Sequence, residues 1–424
     1  MTRIRHVIGA GVSGLAAAHL AGQAGIRTIV HEASPHPGGR CRTLARHGLS
    51  YDNGTHVLLT ANRRALALLR AIGAERRWVE PEPDGLPVVG LPKASLATVG
   101  LSPWSWALAS RRPPGVGLAD LARLLPMLAT PGARSVASYA GSSPGLLQFL
   151  DMTSAAVLNT SPNKASARLL AIVFRRLLLP GASRLLVARE GLGPDLIQPL
   201  AASVQSHGGS IRLGRRLMSI RCQAGRAVAL VFGDGVVALG PEDEVVLALP
   251  PAALRTLLPE VPVPTAFEPI VNLHWAHRGR GPIRFIGVTG GVAQWILVRP
   301  GMLSVTVSAA AGLQDLPGSE LAARVWPEVA AACGRLGVDI DGASPADVLV
   351  VKERAATPRQ DSAYAQLGSV ERRPLANLAL AGDWTSGLPA TIEGAVVSAH
   401  AASRALSTPS SRHALRRAGR EALA

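Results

Sequence analysis

Short apolar runs punctuated by glycine open the chain. "HVIGAG" is a β-like run closed by glycines, "VSGLAAAHLAGQ" is rich in small helix-compatible residues, and "IRTIVHEAS" is a second β-branched run ending at Glu32. Together they predict strand, turn, helix and strand. A related plan recurs in "LALAGDWTSGLPATIEGAVVSAHAAS": a strand over Leu378–Ala381, a turn, and a helix starting around Pro389–Thr391, with proline in the first helical turn where its missing N–H is not needed. Gly394, Ser398 and Ala402 recur every four residues there, a small-residue ridge for close packing. Between these ends, "SIRLGRRLMSI" and "EDEVVLALPPAAL" contain runs suited to buried strands, and "IVNLHW" and "MLSVTVSAA" are strand-like. "LADLARLLPMLA", "SARLLAIVFRRLLL" and "ELAARVWPEVAAACGRL" have helical apolar content. The Pro-rich breaks "EPEPDGLPVVGLP" and "PEVPVPT" are expected to mark crossings between domains, and no internal repeat is visible.

The first segment admits two readings. Arg3 and Arg5 before an uncharged run suggest an export signal or membrane anchor. However, glycines, His19 and Gln23 break that run, and Gly9-x-Gly11-x-x-Gly14 has the spacing of a phosphate-holding turn. Glycine permits the tight turn, backbone can approach a pyrophosphate, the helix N-terminus offers N–H groups, and Glu32 after the second strand can accept ribose hydroxyls. The nucleotide reading accounts for all four features. With a strand predicted so close to Met1, no targeting segment is expected before it.

After Glu32 and Ala33, "SPHPGGRCRT" supplies a flexible turn at Gly38 and Gly39 and a guanidinium at Arg40 able to fork onto phosphate oxygens. This pair of motifs, with Gly382-Asp383 at the far end, resembles the FAD-binding signature of the flavin amine oxidase and carotenoid desaturase superfamily. The resemblance implies an α/β fold: a Rossmann-type, two-dinucleotide-binding FAD domain with a second, mixed α+β substrate domain inserted, as in amine oxidases. It implies that Gly9, Gly11, Ser13, Gly14, Glu32, Ala33, Gly38, Gly39 and Arg40 bind FAD. Backbone near Leu217 would meet adenine, and Gly382 and Asp383 would meet the ribityl chain. Pro389, Ala390, Thr391 and Ile392 would begin a helix facing the flavin's pyrimidine end. The FAD domain is then expected from residues 1–90, 190–262 and 366–406, and the substrate domain from 91–189 and 263–365. The basic tail 407–424 is expected to fray.

Other stretches carry a narrower resemblance. "YDNGTHVLLTANRRALALLRAIGA", "AAVLNTSPNKASARLLAIVFRRLLL", "FEPIVNLHW" and "GVAQWILVRPG" resemble the squalene-associated FAD-dependent desaturases, also called hydroxysqualene dehydroxylases. Thr55 stands where that pattern has Gln. The resemblance implies reductive removal of hydroxide from hydroxysqualene by hydride from reduced FAD. A squalene-synthase-like prenyltransferase would supply the substrate, and the product would feed hopanoid synthesis. Thr55, His56, Asn159 and Trp295 would line the substrate pocket. His56 is the candidate proton donor, with a hydrogen-bonded structural role as its alternative. Asp52 and Asn53 are expected to hold the loop, Asn159 and Thr160 could equally be caps, and Glu393 could brace the flavin-facing helix. Competing readings are a carotenoid-type or other polyisoprenoid desaturase and a non-catalytic flavin-binding isoprenoid scaffold. An amine oxidase fits less well, because only Tyr51, Tyr139 and Tyr364 are available for an aromatic cage.

Composition alters this picture at the edges. Hydrophobic residues at 48% and charged residues at 17% indicate an ordered chain with a substantial core. The net charge of +16 raises nucleic acid or anionic membrane as partners, yet lysine occurs only at Lys93, Lys164 and Lys352. With few aromatic residues for base stacking and no nucleic-acid motif, nucleic acid is not an expected partner. Three scattered cysteines, Cys41, Cys222 and Cys333, fit a reducing cytoplasm, and the protein is expected there or at the inner face of the cell membrane. His274 and His277 lack a clustered third ligand, so no metal is expected. "LATVGLSPWSWALAS" (Leu96–Ser110), followed by Arg111 and Arg112, suits either a helix lining the pocket or core, the favoured reading, or a peripheral membrane contact.

Overall fold

The computed structural model describes residues 3–46, 49–367 and 372–408; the basic tail expected to fray lies, from residue 409 on, outside them. The chain forms two compact units: Met1–Arg42, Ile197–Thr265 and Leu367–Ala424 make the first, Thr43–Leu196 and Ala266–Gln366 the second.

The first unit is built on a five-stranded parallel sheet, in the order Ser210–Arg212, Arg27–His31, Ile4–Ile8, Glu244–Leu247 and Leu378–Leu380. The central strands are short and apolar because a parallel sheet is covered on both faces: Val7, Val30, Val245, Val246 and Leu378 are wholly buried. Arg5 breaks that rule by pairing with its cross-strand neighbour. Arg5 Nε donates to Glu244 Oε2 at 2.9 Å, so burial of the charge is compensated. A separate antiparallel sheet contains Leu217–Gln223, Arg226–Phe232 and Gly235–Ala238. The helix Val12–Gln23 buries Leu15, Ala16, Ala17, Ala18 and Ala21 and packs against the helix Ile392–Ser407, which presents Gly394, Ser398 and Ala402 among its buried residues. Small side chains on both helices allow the close approach.

The second unit is organised by a seven-stranded mixed sheet, in the order Leu349–Pro358, Phe267–Ala276, Met302–Val307, Trp295–Arg299, Arg284–Thr289, Leu86–Gly90 and Ser95–Val99. Side chains alternate across it. Val271, Leu273, Trp275, Ile296, Val298, Leu303 and Val305 form one core with Leu321, Val325 and Val329 of the helix Gly318–Arg335. Phe285, Trp295, Leu297 and Val88 face the other way, in a core with Leu185 and Val187. The helices Leu118–Ala122, Leu124–Ala129, Pro144–Leu158 and Ala167–Leu177 complete the unit.

The first crossing falls between Arg42 and Thr43, where the sequence suggested about residue 90. Thr43–Arg46 and Leu49–Asp52 form a hairpin within the second unit, and Thr43 Oγ1 and Asp52 Oδ1 accept the backbone N–H groups of Gly193 and Leu192. The first Pro-rich break is consequently no crossing; it leads into the strand Leu86–Gly90. The stretch Leu96–Ser110 is not a helix either. It finishes an edge strand and passes through short 3₁₀ turns at Pro103–Ala107 and Ala109–Arg111.

Candidate active site

In the first unit, the turn after Ile4–Ile8 folds as its glycines require. Gly9 has φ +105°, and a Cβ there would overlap the carbonyl of Ala248. A Cβ on Gly14 would overlap the carbonyl of Gly9, so helix and strand approach as closely as backbone allows. Gly11 differs, because a Cβ on it would meet no protein atom within 4 Å. Its lack of a side chain leaves open space over the start of Val12–Gln23, whose N-terminus has neither a side-chain cap nor an acidic residue in its first turn. N–H groups and helix dipole therefore remain available to an anion.

Glu32 stands at the edge of this turn. Its Oε2 accepts the Ala10 N–H at 2.6 Å and its Oε1 the Ser34 N–H at 2.8 Å, which fixes the carboxylate beside the glycines. Ala33 is exposed next to it. Gly38 N–H donates to Ala10 carbonyl at 2.8 Å, and Gly38 and Gly39, at φ +113° and +56°, lay the second turn over the first. The strand beginning at Leu217 reaches the same neighbourhood, because Arg215 N–H donates to Glu32 carbonyl at 2.7 Å and the Arg215 guanidinium covers Phe232.

The far end of the chain closes onto this turn. Arg40 Nη2 donates to Asp383 Oδ1 at 2.7 Å across 343 residues of sequence, with Asp383 buried. Ser398 Oγ donates to Ala395 carbonyl and accepts the Gly382 N–H at 2.9 Å, so the 2.8 Å contact with Ser13 Oγ is donated by Ser13. Ser13 thus ties two helices together, and Arg40 engages Asp383. Pro389 lies before the helix, outside its first turn. Thr391 is the N-cap, its Oγ1 accepting Gly394 N–H at 3.3 Å, and Ile392 starts the helix. Ala390 is half-buried between them, and Glu393 is buried in the first turn, where its charge suits the helix dipole. Open space over Gly11, uncapped amides and a fixed carboxylate fit a dinucleotide.

The second unit holds a buried polar cluster on the sheet face opposite the helix Gly318–Arg335. Asp52 Oδ2 accepts Arg299 Nη1 at 3.0 Å, both residues buried, and Asp52 Oδ1 accepts Thr43 Oγ1 at 2.7 Å as well as Leu192 N–H at 2.8 Å. Asn272 Nδ2 donates to Asn53 carbonyl, and Thr306 Oγ1 to Asn272 Oδ1. His274 Nδ1 lies 2.9 Å from Ser304 Oγ, and Tyr51 packs against its ring. Burial, which outweighs the opposing pull of Asp52, pushes the His274 imidazole down to about 4, and the Arg299 charge adds to the fall. This cluster grips the loop 53–56 at its base. Within the loop, Thr55 and His56 are partly exposed, and His56 Nδ1 lies 3.0 Å from Gly54 carbonyl, which makes Nδ1 the protonated nitrogen.

The two other pocket candidates are placed differently. Asn159 ends the helix Pro144–Leu158 at φ +46°, with Nδ2 donating to Glu268 carbonyl and Thr357 Oγ1 and Oδ1 accepting Ala309 N–H. All of its side-chain polar atoms are engaged in clamping that helix end. Trp295 is buried and stacked on Phe285 at 5.4 Å, and its Nε1 has no hydrogen-bond partner among the described residues. His277 Nε2 donates to Arg299 carbonyl at 2.7 Å, a structural contact. Sequence reasoning missed Arg299, His274 and Ser304 as partners of the loop; their alternation along adjacent strands was the available signal.

Fold and site together define a flavin-dependent oxidoreductase of the amine oxidase type. The family model for flavin containing amine oxidoreductase matches residues 12–277 and 294–407. Solved structures share the fold: wild-type putrescine oxidase bound to putrescine, at 15% identity and TM-score 0.70 over 95% of this chain and 98% of that one, and cyclohexylamine oxidase from Brevibacterium oxydans, at 15% and 0.69 over 96% and 99%. Much nearer in sequence are the hydroxysqualene dehydroxylases of Rhodopseudomonas palustris, 38% identical over 95% of this chain and 98% of that protein, and of Sinorhizobium fredii, 38% over 94% and 96%. The chain belongs to the hydroxysqualene dehydroxylase family of the flavin containing amine oxidoreductases.

Proposed function

We propose that the protein is an FAD-dependent hydroxysqualene dehydroxylase. The observation that carries this reading is end-to-end kinship at 38% identity with proteins of that name, in a chain whose two ends meet at Arg40 and Asp383. Bound reduced FAD supplies a hydride to the carbon that loses oxygen. The overall change is R–OH plus hydride plus proton to R–H plus water, with the flavin oxidised.

The chain's own residues supply the rest. Gly9, Gly11 and Gly14 bring backbone to the pyrophosphate, Glu32 takes the ribose, and the Asp383 region takes the ribityl chain. The second unit binds the long apolar isoprenoid. His56 donates the proton to the leaving oxygen from Nε2 while Gly54 carbonyl holds Nδ1. Thr55, beside His56 on the loop 53–56, and Trp295, through the Nε1 that is unpartnered among the described residues, contact the substrate. The protein works at the cytoplasmic face of a membrane, taking its substrate from an enzyme that couples prenyl diphosphates and passing product to triterpene synthesis. No helix among the described residues is long and apolar enough to cross a membrane.

Anaerobic incubation of the reduced holoprotein with hydroxysqualene tests the reading. Squalene and water are expected. New conjugated double bonds would point to a desaturase, and binding without conversion to a scaffold. His56→Ala should reduce turnover by about 10²-fold or more with FAD occupancy unchanged; undiminished turnover removes His56 from the mechanism.

A further inference from the structure

Among the described residues, seven of the ten exposed large apolar side chains fall between Leu96 and Leu179, all in the second unit. Trp104 is 70% exposed, and Leu108, Leu118 and Leu125 are each 62% exposed. They are not scattered. Leu118, Ala122, Leu125 and Ala129, all exposed, follow one another at helical spacing along the helices Leu118–Ala122 and Leu124–Ala129, whose inward positions are Leu124 and Met127. The pair is therefore apolar on its outer face as well as its inner one, which water does not favour.

Hydrogen bonds bring Trp104 and Leu179 to the same place, and Leu108 follows Trp104 by four residues at the end of the same 3₁₀ turn. Trp104 Nε1 donates to Leu178 carbonyl at 2.8 Å, beside exposed Leu179 at the end of the helix Ala167–Leu177. In the last turn of that helix, Arg175 donates to the carbonyls of Leu128 at 2.5 Å and Ala129 at 3.2 Å, joining it to the end of Leu124–Ala129. Trp106, two residues from Trp104, is buried against Phe149 and Phe174, so the turn is anchored while Trp104 points outward.

Charge indicates what covers this face. Residues 96–184 contain nine basic side chains and two acidic ones, Asp120 and Asp151, and of the nine Arg184 is paired with a carboxylate outside the segment, Glu80. Asp120 is already engaged by Arg123 at 3.5 Å and by Gly117 N–H. Arg168 and Arg175 also line an open cleft of about 460 Å³ with Ser166 and Ser362. Two copies meeting here would bring like charges together, whereas an anionic bilayer neutralises them. Exposed Trp and Leu beside arginine is the composition of a surface that enters the headgroup region.

We propose that Trp104, Leu108, Leu118, Leu125 and Leu179 form a docking face that seats the protein on an anionic lipid bilayer. The proposal rests on the membrane placement in the function proposed above and gives it its contact residues; it is tested apart from the dehydroxylase chemistry, because lipid binding is measured without turnover. The holoprotein is sedimented with phosphatidylcholine vesicles with or without about one third phosphatidylglycerol. Binding should require the anionic lipid and weaken as salt rises from about 0.05 to 0.5 M. Leu118→Glu with Leu125→Glu should reduce partitioning by about tenfold or more, with the visible flavin spectrum and the turnover of detergent-dispersed substrate unchanged. As an independent readout, a nitroxide at Leu108→Cys in a Cys222→Ser background should become shielded from aqueous relaxants on adding vesicles, and one at Met218→Cys should not. The proposal is overturned by equal sedimentation of wild type and double variant, by no sedimentation, by a nitroxide that stays exposed, or by lipid-free self-association that the double variant abolishes.

Discussion

Asp52→Asn should be among the most destabilising single-atom changes this chain can undergo. Asp52 and Arg299 are 5% and 7% exposed, and Arg299 Nε and Nη2 have no hydrogen-bond partner among the described residues, so the carboxylate is the contact that offsets a buried charge. An asparagine amide could still accept from Thr43 Oγ1 and Leu192 N–H, but it would leave the guanidinium without a counter-ion. Breaking one side of a buried pair costs about 3–5 kcal/mol, a large share of a typical stability of about 5–15 kcal/mol. Arg299→Met should cost less, about 2–3 kcal/mol, because the stranded carboxylate keeps two neutral donors. The double variant removes both charges and should recover to within about 1–2 kcal/mol of wild type, a coupling of several kcal/mol. Urea unfolding followed by fluorescence reads all four proteins, with the midpoint shifting at constant slope. If both single variants cost under about 1 kcal/mol and their effects simply add, the pair is not the anchor of the loop.

Three further outcomes follow from the same geometry. Gly14→Val should abolish the yellow colour of the purified protein, because a Cβ there overlaps the Gly9 carbonyl; normal flavin content in the variant would contradict the tight-turn account. Glu32→Gln keeps the shape but weakens the carboxylate's bonds to Ala10 and Ser34, and FAD affinity should fall about 10–100-fold by fluorescence titration, an unchanged affinity counting against it. His274 is held at about 4, below the ordinary 6.5, so between those values the unfolded chain binds the proton and the folded one does not. Its contribution is complete above pH 6.5 and is lost as pH falls, at up to about 1.4 kcal/mol per unit. His274→Gln should flatten that acid limb by one proton in pH-dependent urea titrations, and an unaltered slope would show that His274 titrates normally.

What could be read from the sequence was what backbone geometry dictates locally. Gly9, Gly14 and Glu32 are recognisable because a turn with helix and strand this close admits no Cβ and because the carboxylate must follow the second strand. The reading failed where a side chain's partner is remote. Nothing near Asp52 announces Arg299, 247 residues away, and nothing near Arg40 announces that it will meet Asp383. The boundary at residue 42 was equally hidden, since Thr43 and Asp52 are committed to the second unit by bonds to Gly193 and Leu192. Trp104 and Trp106 show the limit at shortest range: composition marks both as apolar, but the 3₁₀ turn sends one inward and one outward.

That remoteness has an energetic consequence for the cofactor site. Ser13, Gly382 and Ser398 share one hydroxyl, and Arg40 reaches Asp383, so the turn at the start of the chain and the helix near its end are one structure. An unfolded chain, or one with its last helix undocked, has no cradle for a dinucleotide. With flavin on that turn, as proposed, only the assembled form binds it, and by mass action the cofactor should raise stability by about 2.7 kcal/mol at a hundredfold excess over its Kd. Substitutions at the small residues Gly394, Ser398 and Ala402 should therefore lower cofactor affinity as those at the glycines of the turn do. Ser398→Val, at a wholly buried position, would fill the contact with Ser13 and leave Gly382 N–H unbonded, and should weaken flavin retention as read by fluorescence titration.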